Sequence, residues 1–356
     1  IKRYGRGAYL VSQTGTRLLL SERVREENNM SVLDMPIEEL KKYRGTNPSP
    51  ADFDAYWEKA LKEMHSVEPD VELIPADFQV WYADCYDMYF TGVRNARIYA
   101  KFIIPKKRKE KMPAILMFHG YTANSGNWNE LLSYAAAGFV VAAMDCRGQG
   151  GRSEDTGGVK GTTVNGHVIR GLDGEPQDLL MRHIFLDTAK LAGIMMDMPE
   201  VDEKRVGVAG GSQGGALSVA CAALEPRIAK AAIQYPFLSD YKRVWEMDLT
   251  KSAYAELWSY FRHFDPLHQR EKQIFEKLGY LDVQNLAPKI RGEVLQAVSL
   301  LDDLCPPSTQ FAVYNKIKSS KEALIYYDYG HEYLPGYSDR AFQFMMGFLT
   351  EEEKMV

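Results

Sequence analysis

Cysteine is scarce in this chain: Cys85, Cys146, Cys221 and Cys305 are its only four, and they stand far apart with no CxxC or comparable ligand spacing. That excludes a zinc ribbon and a disulfide-stapled scaffold. The thiols are expected free and buried, as in the reducing, cytoplasmic compartment. Long hydrophobic runs are missing too. Stretches such as AAAGFVVAAM around residue 140 are too short to cross a bilayer and are broken by Gly138, so no membrane span is expected. Nor does one sign of charge dominate: 43 Lys and Arg against 48 Asp and Glu leave a net charge of −5, with the signs interspersed. Such a surface offers no basic face to nucleic acid and no acidic tail. No internal repeat or low-complexity tract occurs.

What is present is ample core material. With 356 residues, 46% of them hydrophobic, one large domain with insertions is the expected arrangement. Residues 1–29 carry Arg and Lys without periodicity, and the LLL at 18–20 is too short for a signal-peptide core. They read as an upstream extension, non-native or disordered, rather than a functional arm. Met30 is then the expected native start, and residues 30–356 a single domain.

Two N-terminal helices are predicted over about 36–66, in DMPIEELKKY and NPSPADFDAYWEKALKEM, the second with Ser49 and Asp52 as a loose capping box. DMYFTGV and ARIYAKFIIP read as an antiparallel hairpin turning at Arg94 and Asn95. Beyond Pro113, strands that are apolar on both faces alternate with helices: AILMFHG, WNELLSYAAAG, FVVAAMD, DLLMRHIFLDTAKLAGIMM, RVGVAGG, GALSVACAAL, IAKAAIQY, GEVLQAVSLLD, EALIYYDYG. That alternation signals an α/β fold with a mostly parallel sheet covered by helices on both faces. Two segments break it, a glycine-rich one over 147–174 and an aromatic, charged insertion over about 237–286, and both read as lids, binding loops or subunit contacts.

The stretch RVGVAGGSQGGALSVACAAL, residues 205–224, places Gly210-Gly211-Ser212-Gln213-Gly214 between a strand and a helix. This is G-x-S-x-G in the context of a nucleophile elbow, the α/β-hydrolase arrangement in which a sharp turn pushes the serine clear of the sheet. Backbone N–H groups at the start of the following helix can then hold an oxyanion. A phosphate loop is disfavoured, because no Lys follows and GxGxxG is not matched.

A serine hydroxyl needs a base, and the base an acid, in the chain order Ser, Asp or Glu, His. Only His263, His268 and His331 follow Ser212. The first two lie inside the insertion and read as exposed or locally paired, whereas His331 directly follows a strand. For the acid, SLLDDLCPPST offers Asp302 and Asp303 at a strand end, and periodicity does not choose between them. Asp328 precedes the end of the histidine's own strand and is expected to point aside. LMFHGYTANSGNW supplies the candidate second oxyanion donor, the backbone N–H of Tyr121, with His119 bracing that loop.

The combination of RGQGG from Arg147, GGSQGG from Gly210, HGY from His119, LDDLCPPSTQFAVYN from Leu301 and HE at His331 and Glu332 resembles carbohydrate esterase family 7, the acetyl xylan esterases and cephalosporin C deacetylases. The likeness runs from about Ser31 to the end and does not include residues 1–29. It implies Ser212 as nucleophile, His331 as base, Asp302 as acid, and the N–H groups of Tyr121 and Gln213 as the oxyanion hole, with no metal or organic cofactor. It also implies hydrolysis of acetate esters of small carbohydrates, and ring-like hexamers built with a loop insertion that 147–174 resembles. Arg147 and Gln149 read as a brace beside the elbow. Ser299 departs from the family, which commonly has glycine there, and that bears on local strand packing. The rivals are a general short-chain carboxylesterase, a serine peptidase of the prolyl-oligopeptidase type, for whose propeller the chain has no room, and a binding protein on an inactivated hydrolase scaffold.

Overall fold

The computed structural model describes residues 33–106, 111–157, 163–351 and 353; the expected extension over 1–29 lies outside them. Among the described residues nine strands form one sheet: β1 (Glu72–Pro75), β2 (Ala83–Thr91), β3 (Arg97–Pro105), β4 (Met112–Phe118), β5 (Val140–Met144), β6 (Val201–Gly211), β7 (Lys230–Gln234), β8 (Glu293–Ser299) and β9 (Lys321–Tyr326). Their order is β1-β2-β3-β5-β4-β6-β7-β8-β9. The first three and the β3–β5 contact are antiparallel. From β5 to β9 every neighbour is parallel. The carboxyl ends of β4, β6, β8 and β9 therefore open onto the same edge, where loops from distant parts of the chain can meet.

The apolar runs form central strands because both faces are covered. Along β4, Ala114, Leu116 and Phe118 join one core cluster while Ile115 joins the other. The same alternation divides Val140, Ala142 and Met144 from Val141 and Ala143 in β5. Every residue of the helix Gln213–Leu224 is buried, as are nearly all of Leu180–Asp197. A helix that is apolar all round belongs in the interior, and this burial gives the serine that precedes Gln213 a rigid seat.

The hairpin turns as expected, at Val93–Asn95, with Arg94 and Asn95 at φ of 57° and 58°. One expectation is corrected, and two features are added that the sequence did not show. The helix Phe53–His65 starts after Asp52, whose side chain does not cap it; the Asp52 carboxylate instead accepts from the Tyr280 hydroxyl, and that tertiary bond displaces the capping box expected from Ser49. β1 went unread because all four of its residues are exposed, so no buried alternation marks it. The insertion over about 237–286 is largely helical, with Tyr241–Glu246, Ala255–Phe264, Glu271–Leu278 and Val283–Leu286. Helices of four to ten residues are too short for a clear period, and aromatic contacts such as Trp245 against Phe261 hold them.

Candidate active site

Ser212 sits where β6 ends and the helix Gln213–Leu224 begins, with φ 56° and ψ −119°. A non-glycine residue there costs about 1–3 kcal/mol and persists only where its surroundings impose it. Here they do: the Ser212 N–H donates to Gln234 O at 3.0 Å, and its carbonyl accepts from the N–H groups of Ala216 and Phe237, each at 3.0 Å. The turn is so tight that a Cβ on Gly214 would lie 2.0 Å from Phe118 O, and one on Gly210 2.5 Å from the Gly214 carbonyl oxygen. Glycine at these two positions is a steric requirement.

The loops after β8 and β9 run side by side, joined by Leu300 N–H to Tyr326 O and Leu301 N–H to Tyr329 O, both 2.9 Å. This brings His331 to Asp302. Imidazole Nδ1 donates to Asp302 Oδ2 at 2.8 Å, and Nε2 lies 3.1 Å from Ser212 Oγ. The Asp302 carboxylate, fully buried, also accepts the N–H groups of Leu304 (2.9 Å) and Cys305 (2.7 Å) at Oδ1. Because Asp302 accepts at both oxygens, the imidazole hydrogen belongs on Nδ1, and Nε2 is left with a lone pair facing the serine hydroxyl. Of the neighbours left open by the strand pattern, Asp303 turns outward to an exposed ion pair with Lys251, and Asp328 is exposed. His263 is exposed, and His268 pairs with Glu271 at 2.9 Å. His119 braces its loop, its Nε2 accepting from Cys146 N–H at 2.9 Å.

Tyr121 follows the end of β4, and Gln213 opens the elbow helix. Among the described residues neither backbone N–H makes a hydrogen bond. One group of metal-ligand type occurs among the described residues, Asp302, Cys305 and His331, with ligand atoms within 4.8 Å of one another. Two of the three are already bonded within the Ser-His-Asp relay. Burial, and then the Asp302 charge, push the Cys305 thiol well above its ordinary range, so it is a poor thiolate donor.

Residues 30–348 match the family model for acetyl xylan esterase. The chain belongs to the acetyl xylan esterase family. That places it among the carboxylic ester hydrolases, on the α/β-hydrolase fold. The chain is similar to acetyl xylan esterase 1 of Thermoanaerobacterium sp. JW/SL YS485, with 61% identity, a TM-score of 0.87, and coverage of 89% of this chain and all of that one. An acetyl xylan esterase from Paenibacillus sp. R4 is 32% identical with a TM-score of 0.83, over 88% of this chain and all of that one. Acetyl esterase Axe7A of Xylanibacter ruminicola is 30% identical over 287 residues, which span 78% of this chain and 62% of that relative's length.

Within this family framework, the R-G-Q segment divides into two jobs. Gln149, fully buried, accepts from Thr122 N–H at 2.9 Å and donates to Gln213 Oε1 at 2.8 Å. It thus ties the loop that carries Tyr121 to the first residue of the elbow helix, and it gives the Gln213 side chain a structural partner that sequence reading did not assign. Arg147 points the other way. Its Nε and Nη2 reach Asp187 Oδ2 and Oδ1 at 2.7 and 2.6 Å, and its Nη1 donates to Val93 O at 3.2 Å. Burial lifts the Asp187 carboxyl above its ordinary value even against the pull of that guanidinium. Removing the arginine strands a charge in the core, so Arg147→Met is expected to lose about 3–5 kcal/mol in urea unfolding. The double variant Arg147→Met/Asp187→Leu should recover most of the loss, since it leaves no unpaired buried charge.

One neighbour of the relay also escaped the sequence. Tyr235, at the end of β7 with φ 28°, lays its ring 4.4 Å from the His331 ring and donates from its hydroxyl to Glu332 O at 3.0 Å. Glu332 accepts from Gly330 N–H at 2.9 Å, which closes the turn that presents His331. The only signal for Tyr235 was its place after a parallel strand. Ser299 is buried with no partner for its Oγ among the described residues, while its N–H donates to Gln310 Oε1 at 3.1 Å, so the strand accommodates the hydroxyl without a bond.

Proposed function

We propose that this chain is a serine esterase that removes acetyl groups from acetylated xylo-oligosaccharides and related small acetate esters, cephalosporin C among them. The observation that carries the reading is the continuous relay from Ser212 Oγ through His331 to Asp302, at 3.1 and 2.8 Å. In the first step Ser212 Oγ attacks the acetyl carbonyl carbon as its proton passes to His331 Nε2. Asp302 steadies the imidazolium, and the carbonyl oxygen, now negative, takes hydrogen bonds from the N–H groups of Tyr121 and Gln213. His331 then gives the proton to the departing sugar oxygen as the C–O bond breaks, leaving acetyl-Ser212. Water, deprotonated by the same imidazole, repeats the addition and releases acetate and free serine.

The same reading makes residues 30–356 one catalytic domain acting in the cytoplasm, supported by four free, buried cysteines, and assembling as a homo-oligomer, a hexamer by family resemblance. Among the described residues no helix is long and apolar enough to cross a membrane. Rates on acetate, butyrate and octanoate esters of one alcohol test the acyl preference. Acetate is expected to react at least about tenfold faster than octanoate, the discrimination that an acetyl-selective site would make. Equal rates across the three would overturn the acetyl preference. A fluorophosphonate should label Ser212, and an unlabelled serine in the intact protein would overturn the enzyme reading in favour of a binding protein.

A further inference from the structure

Glu256 lies in the insertion, second residue of the helix Ala255–Phe264, yet its carboxylate is buried and does not serve its own helix. Oε1 accepts from the Tyr121 hydroxyl and, at 2.7 Å, from Gly166 N–H; Oε2 accepts from Val168 N–H at 2.9 Å. The Tyr121 hydroxyl in turn accepts from His167 N–H at 3.1 Å. One buried carboxylate therefore joins three segments remote in sequence: the loop after β4, the glycine-rich segment and the insertion. The Tyr121 ring is held edge-on between His167 and Phe237, with ring centroids 5.3 and 5.7 Å away. Burial, and then the Glu256 charge, push the Tyr121 phenol far above its ordinary value, so it remains a donor.

We infer that Glu256 is a positioning residue for the oxyanion hole, fixing the Tyr121 backbone N–H by anchoring that residue's side chain. This rests on the proposed role of the Tyr121 N–H. The physical reason is that an oxyanion donor acts only when its direction is set before the charge develops. On one side Gln149 holds the following peptide through Thr122 N–H. On the other, the Tyr121 hydroxyl donates to Glu256 and accepts from His167 N–H. A carboxylate with two acceptor oxygens can hold three donors at once, whereas an amide would turn an NH₂ group toward one of them.

The test uses Glu256→Gln, and Tyr121→Phe, which keeps the ring between His167 and Phe237 while removing its tether. Each is compared with the parent protein by thermal unfolding, by kcat and KM on a small acetate ester, and by inhibition with an acetyl-mimicking trifluoromethyl ketone. Ser212 Oγ adds to the carbonyl carbon of that ketone, its proton passes to His331, and the carbonyl oxygen becomes the anion that the hole must hold. In both variants kcat is expected to fall about tenfold to a hundredfold with KM nearly unchanged, and the ketone to bind more weakly by the same factor. A merely structural Glu256 would lower the unfolding temperature and leave the ketone affinity where it was. Folded variants whose kcat and ketone affinity stay within about twofold of the parent overturn the inference. Should Glu256→Gln fail to fold, Tyr121→Phe decides alone. Fluorophosphonate labelling separates the two levels: loss of labelling in the parent overturns the active-site reading and this inference with it, whereas retained labelling with unmoved ketone affinity overturns only the positioning role.

Discussion

Replacing Ser212 with alanine is expected to lower turnover of a small acetate ester by about 10⁴- to 10⁶-fold while the protein stays folded, because the residues of such a relay act as a unit. Without Oγ no acyl-enzyme forms, and the His331 lone pair, 3.1 Å from that oxygen in the intact protein, has no serine proton to accept. What activity remains is expected to come from water attacking an ester whose carbonyl is still held by the proposed oxyanion donors, the N–H groups of Tyr121 and Gln213. The backbone bonds that impose the elbow, to Gln234 O and from Ala216 and Phe237 N–H, use none of the side chain and survive the change. KM should accordingly move little. Steady-state kinetics with an ester that releases a coloured alcohol measures both constants, and a loss of less than about tenfold would overturn Ser212 as the nucleophile.

Asp302→Asn is expected to cost about 10⁴-fold in kcat, although it changes neither volume nor shape, because it reverses the imidazole tautomer. The N–H groups of Leu304 and Cys305, 2.9 and 2.7 Å from Oδ1, hold an oxygen at that position. The new amide must therefore turn its NH₂ toward His331 Nδ1. That nitrogen then becomes the acceptor, the ring hydrogen moves to Nε2, and a protonated Nε2 cannot take the serine proton. Asp303→Asn is the control: its carboxylate lies in an exposed pair with Lys251, and such pairs contribute little, so its rate should stay within about twofold of the parent. Equal losses in the two variants would overturn the choice of Asp302.

Much of this arrangement was legible in the chain. Strands that are apolar on both faces announce a covered parallel sheet, and the successive runs from AILMFHG to EALIYYDYG fall on β4 to β9 and the helices between them. The G-x-S-x-G turn was readable because part of its steric demand is local: the Cβ that Gly210 lacks would strike the Gly214 carbonyl. His331 stood out by its place after a strand, a signal that needs no knowledge of the neighbouring strand.

Other features had no local signal. The insertion over about 237–286 read as irregular because its helices are short and are fixed by ring contacts such as Phe237 on Tyr254. Glu256 lies inside that stretch as one acid among several, with nothing beside it in the chain to mark it. Its true partners, Tyr121, Gly166 and Val168, are 88 to 135 residues away. The Gln213 side chain likewise acquires its purpose only when Gln149, 64 residues earlier, folds against it.

The sequence by itself determined the parallel strands, the sharp turn at Ser212 and the chain order of serine, acid and histidine, because strand and helix periodicity and the Cβ clash within the turn depend on near neighbours. Tertiary structure decided that Asp302 and not Asp303 faces the imidazole, which nitrogen carries its hydrogen, and which buried side chains hold the two candidate oxyanion donors. These choices depend on how the loops after β8 and β9 are bonded to each other and on carboxylates brought from remote segments, and hydrogen bonds of that range leave no period in a sequence.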